Sequence, residues 1–156
     1  MTIAFTSPVT GAPQTGLTTP TYTLTADQAP DTVSKQWAVT ALGGTQAGVR
    51  THSASDPFTI TAFRPKVFQS LGKAHPVTGV VKFIPFNRFL VKTRKGVIPL
   101  AGQPVTTYFI DTSFSVPAGS DTADAPNLRA GTSLHIGAIY QQSSGIGDTI
   151  VTGLLG

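Results

Sequence analysis

Cysteine is absent, which excludes disulfides and thiolate metal sites. Glutamate is absent too, so all seven acids are aspartates. Charged residues make up only 12% of the chain, about half the usual share of a soluble domain. No apolar run approaches the roughly 20 residues of a membrane-spanning helix, and no membrane partner is expected. Met1 to Gly16 lacks the basic start and apolar stretch of a signal peptide. The expected site of synthesis and use is therefore a cytoplasm.

Acids are also missing from one long interval. None lies between Asp56 and Asp111. That interval holds Arg64, Lys66, Lys73, Lys82, Arg88, Lys92, Arg94 and Lys95, eight of the eleven cations in a chain of net charge +4. A stretch of one sign sets up a positive potential that attracts polyanions. With 40% apolar residues, the 156-residue chain can fill one core. Low charge beside that apolar share implies surface buried against partner chains. The alternative is a monomer whose surface is coated with Thr and Ser.

Catalytic sets are missing as well. The three histidines, His52, His75 and His135, share no metal-ligand spacing. Gly145-Ile146-Gly147 is too weak a signal for a phosphate loop, because no Gly-Lys-Ser/Thr follows it. No enzyme, metal, cofactor or small-molecule substrate is expected.

What is present reads as strands first and helices last, an α+β order in one domain, 1–156. Residues 1–19, rich in Thr, Pro and Gly, read as an extended arm. Residues 20–116 read as an antiparallel sheet. Thr21 to Thr25 and Ser34 to Leu42 are strand candidates, Gly43-Gly44 a turn and Gly48 to His52 a short strand. Pro57 to Arg64 alternates Phe58, Ile60 and Ala62 against Thr59, Thr61 and Phe63. Gly72 to Thr78 is a loop. Gly79 to Ile84 and Phe86 to Lys95 read as two strands, or as one bent at Pro85. Gly96 to Pro104 is a loop. Val105 to Val116 is the clearest strand: Tyr108, Ile110, Phe114 and Val116 lie on one side, and Phe109, Asp111, Ser113 and Ser115 on the other.

Two helices are expected over 124–155. Asp124 is the expected N-cap of the first, with Pro126 in its first turn. It runs from about Ala125 to Gln142, Gly145-Ile146-Gly147 breaks it, and Asp148 caps the second. The apolar residues of the first helix spread around its circumference, which implies burial on more than one side. Gly131 and Gly137 suit the close approach of another backbone. A domain this size offers one sheet face to cover, so the second side is expected to meet another subunit. The candidate interface residues are Leu128, Gly131, His135, Gly137 and Ile139.

Period two from Phe86 to Lys95 groups Arg88, Lys92 and Arg94 on one face, joined by Lys82 if the strand runs straight through Pro85. A row of cations on an open sheet face suits a phosphate backbone. Thr59, Thr61 and Phe109 are candidates for hydrogen bonding to, or stacking on, unpaired bases. The alternative is an edge strand charged against aggregation.

The C-terminal third resembles a known family. The run Ser115 to Asp124 (SVPAGSDTAD), then Asn127-Leu128-Arg129, Ser133 to Gly137 (SLHIG) and Gln141 to Thr149 (QQSSGIGDT) looks like the end of coat proteins of single-stranded RNA bacteriophages, the leviviruses. The resemblance implies an N-terminal hairpin, a multi-stranded antiparallel sheet and two C-terminal helices. It implies a homodimer with sheets joined side by side and each chain's helices packing across the partner subunit. Dimers would then self-assemble, in a bacterial host cytoplasm, into an icosahedral virion shell of T=3 type around a single-stranded RNA genome. The loop before the last strand would make contacts around the symmetry axes. The inner sheet face would also bind an RNA hairpin as a translational repressor. Two rivals stay open on the residues alone: a non-capsid RNA-binding regulator, and a phage tail or decoration protein.

Overall fold

The computed structural model describes residues 2–156; Met1, the first residue of the expected arm, lies outside them. Six strands form one meander in which every neighbour is antiparallel. They are β1 (Val9–Thr10), β2 (Thr18–Asp27), β3 (Ser34–Thr45), β4 (Phe58–Phe63), β5 (Phe86–Val97) and β6 (Thr106–Pro117). Three helices follow: α1 (Ser120–Ala123), α2 (Ala125–Gln141) and α3 (Ser143–Thr152). The α+β order, antiparallel sheet and C-terminal helices match the expectation.

Several local expectations are corrected. The arm is partly built into the sheet, since Val9 and Thr10 pair with Tyr22 and Thr21. Phe5 packs edge-on against Trp37, with centroids 5.0 Å apart. Gly43-Gly44 is not a turn. It continues β3, where Gly43 pairs with Thr21 and irregular register in β2 absorbs the extra length. Gly48 to His52 is not a strand, although His52 N donates to Val39 O at 2.8 Å. Gly79 to Ile84 is not a strand either. Residues 64–85 form one long connection, and Pro85 ends it where β5 begins.

The helix ends differ too. Asp124 makes no side-chain cap; its Oδ1 accepts from Asn127 Nδ2 at 2.7 Å. The break falls at Gln142, and Gly145 and Gly147 lie inside α3. A contact with the arm explains why: Gln14 Nε2 donates to Ser143 O at 2.7 Å and to Ser143 Oγ at 2.9 Å. Thr15 Oγ1 donates to Asp148 Oδ2 at 3.0 Å. The space a Cβ would fill at Gly147 is taken by Gln14. The arm thus docks on α3 through its glycine side.

The core is thin. Among the described residues, the buried apolar side chains are Pro20, Ala38, Val39 and Ala118. The chain exposes 10940 Å². A compact monomer of 16.2 kDa would expose about 7,500 Å², roughly 3,400 Å² less. Counted over two chains the excess is about 6,800 Å², more than the roughly 2,000–5,000 Å² total that obligate subunit interfaces bury.

Candidate assembly surface and basic face

Strand register assigns every side chain of β4, β5 and β6 to one of two faces. Opposed residues of an antiparallel pair share a face. Ile60 opposes Thr93, which opposes Ile110. Ala62 opposes Val91, which opposes Thr112, and Phe89 opposes Phe114. These residues make the apolar face. The other face pairs Thr59 with Arg94 and Phe109, Thr61 with Lys92 and Asp111, and Arg88 with Ser115. Alternation in β6 therefore sorts its residues as expected.

The apolar face opens into a cleft of about 1110 Å³ between sheet and helices. Phe89, Val91, Tyr108, Ile110 and Phe114 form its floor, and His135, Ile136, Ile139 and Tyr140 of α2 form a wall. The His135 ring stands edge-on to Phe114 at 6.3 Å. None of the described residues fills this space. Ile110 is 47% exposed and Ile139 43%. No residue of α2 is buried. Beside the cleft, β6 is a sheet edge twelve residues long, with one side of its backbone unpaired among the described residues. An edge that long, beside an open apolar face, is a template for a second strand.

The five interface candidates separate in the structure. His135 and Ile139 line the cleft. Leu128 lies on a different, shallow patch with Arg129, Thr132 and Ser133. Gly131 and Gly137 have no neighbour among the described residues within reach of a Cβ, so the chain itself brings no other backbone close to them.

The basic face keeps part of its expected membership. Arg88, Lys92 and Arg94 share it. Arg88 Nε donates to Ser113 Oγ at 2.7 Å. Lys92 Nζ sits 3.3 Å from Asp111 Oδ2 and 5.4 Å from the centroid of Phe109. Phe109 is 55% exposed. Lys82 is not part of the row, because it lies in the 64–85 connection. Thr59 and Thr61 share the face but are 2% and 1% exposed, so neither is free to touch a ligand. Longer side chains from both flanking strands close over them. Arg94 Nη2 donates to Gln36 Oε1, Arg94 Nε to Thr59 Oγ1 at 3.3 Å, and Thr61 Oγ1 to Gln36 Oε1 at 2.9 Å.

Gln36 is the hub that sequence reading missed. Its Nε2 donates to Asp27 Oδ2 at 2.7 Å, and this bond is the main reason the Asp27 carboxyl is held below its ordinary range. The amide relays the position of Asp27 to the guanidinium of Arg94. Only the register of β3 on β4, Gln36 against Thr61, reveals it.

Lys95 takes the opposite face and meets a buried acid. Asp56 is 7% exposed. Arg50 Nε donates to its Oδ2, and Lys95 Nζ lies 3.1 Å from its Oδ1. Gly96 has no room for a Cβ beside that carboxylate. The hydrogen bond from Arg50 pulls the Asp56 pKa below its ordinary 3.8; desolvation opposes this, and Lys95 reinforces it. A depressed carboxylate adds stability that is complete above the unfolded value and lost as pH falls through the folded one. Asp56→Asn is therefore expected to cost about 2 kcal/mol at pH 7, moderated because Arg50 is partly solvated. In thermal melts its deficit against the parent should narrow below about pH 4. A deficit that is constant from pH 7 to pH 3 would show that the ion pair contributes nothing.

Among the described residues, no group of three His or Asp could hold a metal ion, and no helix is long and apolar enough to cross a membrane. No protein-family model matches the chain, and no curated protein matches it. Among solved structures, a chain from a virus-like particle of bacteriophage ESE020 does. The TM-score is 0.96 at 51% identity, over 99% of this chain and 100% of that one.

Proposed function

The chain belongs to the family of bacteriophage coat proteins that this particle represents, a structural rather than an enzymatic class, and from that premise we propose that it dimerises and encloses single-stranded RNA. The observation that carries the dimer is the open cleft. An apolar sheet face, an unburied apolar helix and an unpaired twelve-residue edge lie side by side. A second copy related by a two-fold axis answers all three. Its β6 pairs antiparallel with β6, and its α2 lays Ile136 and Ile139 onto the floor of Ile110 and Phe114. A two-fold contact is self-complementary, so each chain gives and receives the same helix. The surface excess of roughly 3,400 Å² per chain supports an exchange that covers apolar surface.

With the cleft closed by helices, the basic face is the sheet surface left open. Arg88, Lys92 and Arg94 offer a row of cations to a phosphate backbone. Phe109, exposed beside Lys92, offers a ring on which an unpaired base can stack. The same pair supports the finer reading in which this face binds an RNA hairpin and represses translation. Closed shells of such dimers, icosahedral in symmetry, would carry the face inward against the genome, with assembly in the bacterial cytoplasm.

Expression of the chain alone tests the reading. The expected products are dimers by light scattering after disassembly, and RNA-filled particles by electron microscopy. A stable monomer that binds no RNA would refute it. A small RNA-binding oligomer that never forms shells would identify the regulator instead.

A further inference from the structure

The 64–85 connection has a fastened root. Gln69 N donates to Asn87 Oδ1 at 2.8 Å, and Asn87 Nδ2 donates to Gln69 O at 3.0 Å. The Phe68 ring lies 6.1 Å from Phe89, and Lys66 Nζ lies 3.2 Å from Asp31. Leu71 rests on Gly119, whose φ of +86° and lack of Cβ leave room for it.

Beyond Leu71 the tip has its own shape. Gly79 N donates to His75 O at 2.8 Å, and His75 N donates to Val80 O at 3.0 Å. The Nδ1 of His75 accepts from Val77 N at 3.2 Å and from Thr78 N at 3.3 Å. This turn holds three apolar side chains in solvent: Val77 is 86% exposed, Val80 62% and Phe83 76%. None of them lines the cleft, so the dimer surface makes no use of them.

We propose that this tip is the contact between neighbouring dimers of the shell, seating Val77, Val80 and Phe83 against a second copy of the chain. The inference rests on the capsid reading. A closed shell needs an interface beyond the two-fold one, and head-to-tail contacts are what close rings of subunits. Charge selects the type of contact. The tip carries Lys73 and Lys82 and no acid. Two tips therefore repel, and each fits a surface of another kind on its neighbour. A fastened root lets the tip be presented at a fixed distance, so little ordering is left to be done on contact.

Radical footprinting of the wild-type chain, as dimers and as particles, reads the contact directly. Residues 72–84 should lose most of their labelling on assembly. The variant V77S/V80S/F83S should keep the dimer mass and melting temperature while particle yield falls about tenfold or more. Equal labelling in dimer and particle overturns the proposal and leaves the tip free for a partner outside the shell. An unchanged yield from the triple variant overturns it too. Should that variant fail to fold, the wild-type footprint decides alone. A wild-type chain that never forms particles overturns the capsid reading itself, a result distinct from either of these.

Discussion

Ile110→Asp should yield a folded, soluble chain that neither pairs nor assembles. In the single chain Ile110 is 47% exposed, so a carboxylate there stays hydrated and the fold tolerates it. In the proposed dimer the partner's α2 covers that position. An unpaired carboxylate buried under an apolar helix costs several kcal/mol. A loss of about 4 kcal/mol is roughly a thousandfold in Kd. Ile139→Asp should act the same way, because it removes the other half of the same contact. Light scattering after size exclusion reads the mass, and circular dichroism checks that the strands persist. A dimer of native mass from either variant would mean that the cleft is not where the chains meet.

Replacing Arg88 and Lys92 with Ser should cut RNA binding without touching the dimer. Each cation withdrawn from the phosphates of a single strand lowers the salt slope by about 0.7, so the pair should lower it by about 1.4. Particles should form with less RNA, seen in their ultraviolet absorbance ratio. Arg94→Ser is expected to add a structural cost, since its guanidinium covers Thr59 and bonds Gln36. It therefore belongs in a separate variant with its own melting curve. An unchanged salt slope in R88S/K92S would remove the basic face as the RNA surface. A tail or decoration protein would be indifferent to both substitutions.

Much of the coat-protein architecture is legible in the residues. Alternation places Tyr108, Ile110 and Phe114 together because a strand's side chains alternate whatever surrounds it. The same rule groups Arg88, Lys92 and Arg94 and keeps Lys95 apart from them. Apolar residues all around α2 belong to a helix of which the chain itself buries no residue. The errors are of one kind. Thr59 and Thr61 look free in sequence, being short, polar and on the charged side. They are covered because register sets Gln36 on one flank and Arg94 on the other. Lys82 looks like part of the row because nothing local says how far the chain wanders before Pro85. Gly145 and Gly147 read as a helix break because glycine weakens a helix by about 1 kcal/mol. The arm's Gln14 needs the space that Gly147 leaves, and it comes from the other end of the chain.

By itself, then, the sequence determined what depends on the local backbone. That covers strands before helices, the two faces of β5 and β6, the acid-free basic interval, and a helix too apolar for its own domain. Tertiary structure alone decided what depends on neighbours distant in sequence. It showed which polar residues the register buries, how the arm holds α3, how Asp56 holds Arg50 and Lys95, and where an apolar face stands open. Periodicity is written residue by residue, whereas burial is a property of pairs. The roughly 3,400 Å² by which this chain's exposed surface exceeds that of a compact monomer of its mass is likewise a property of the tertiary arrangement and of no single residue.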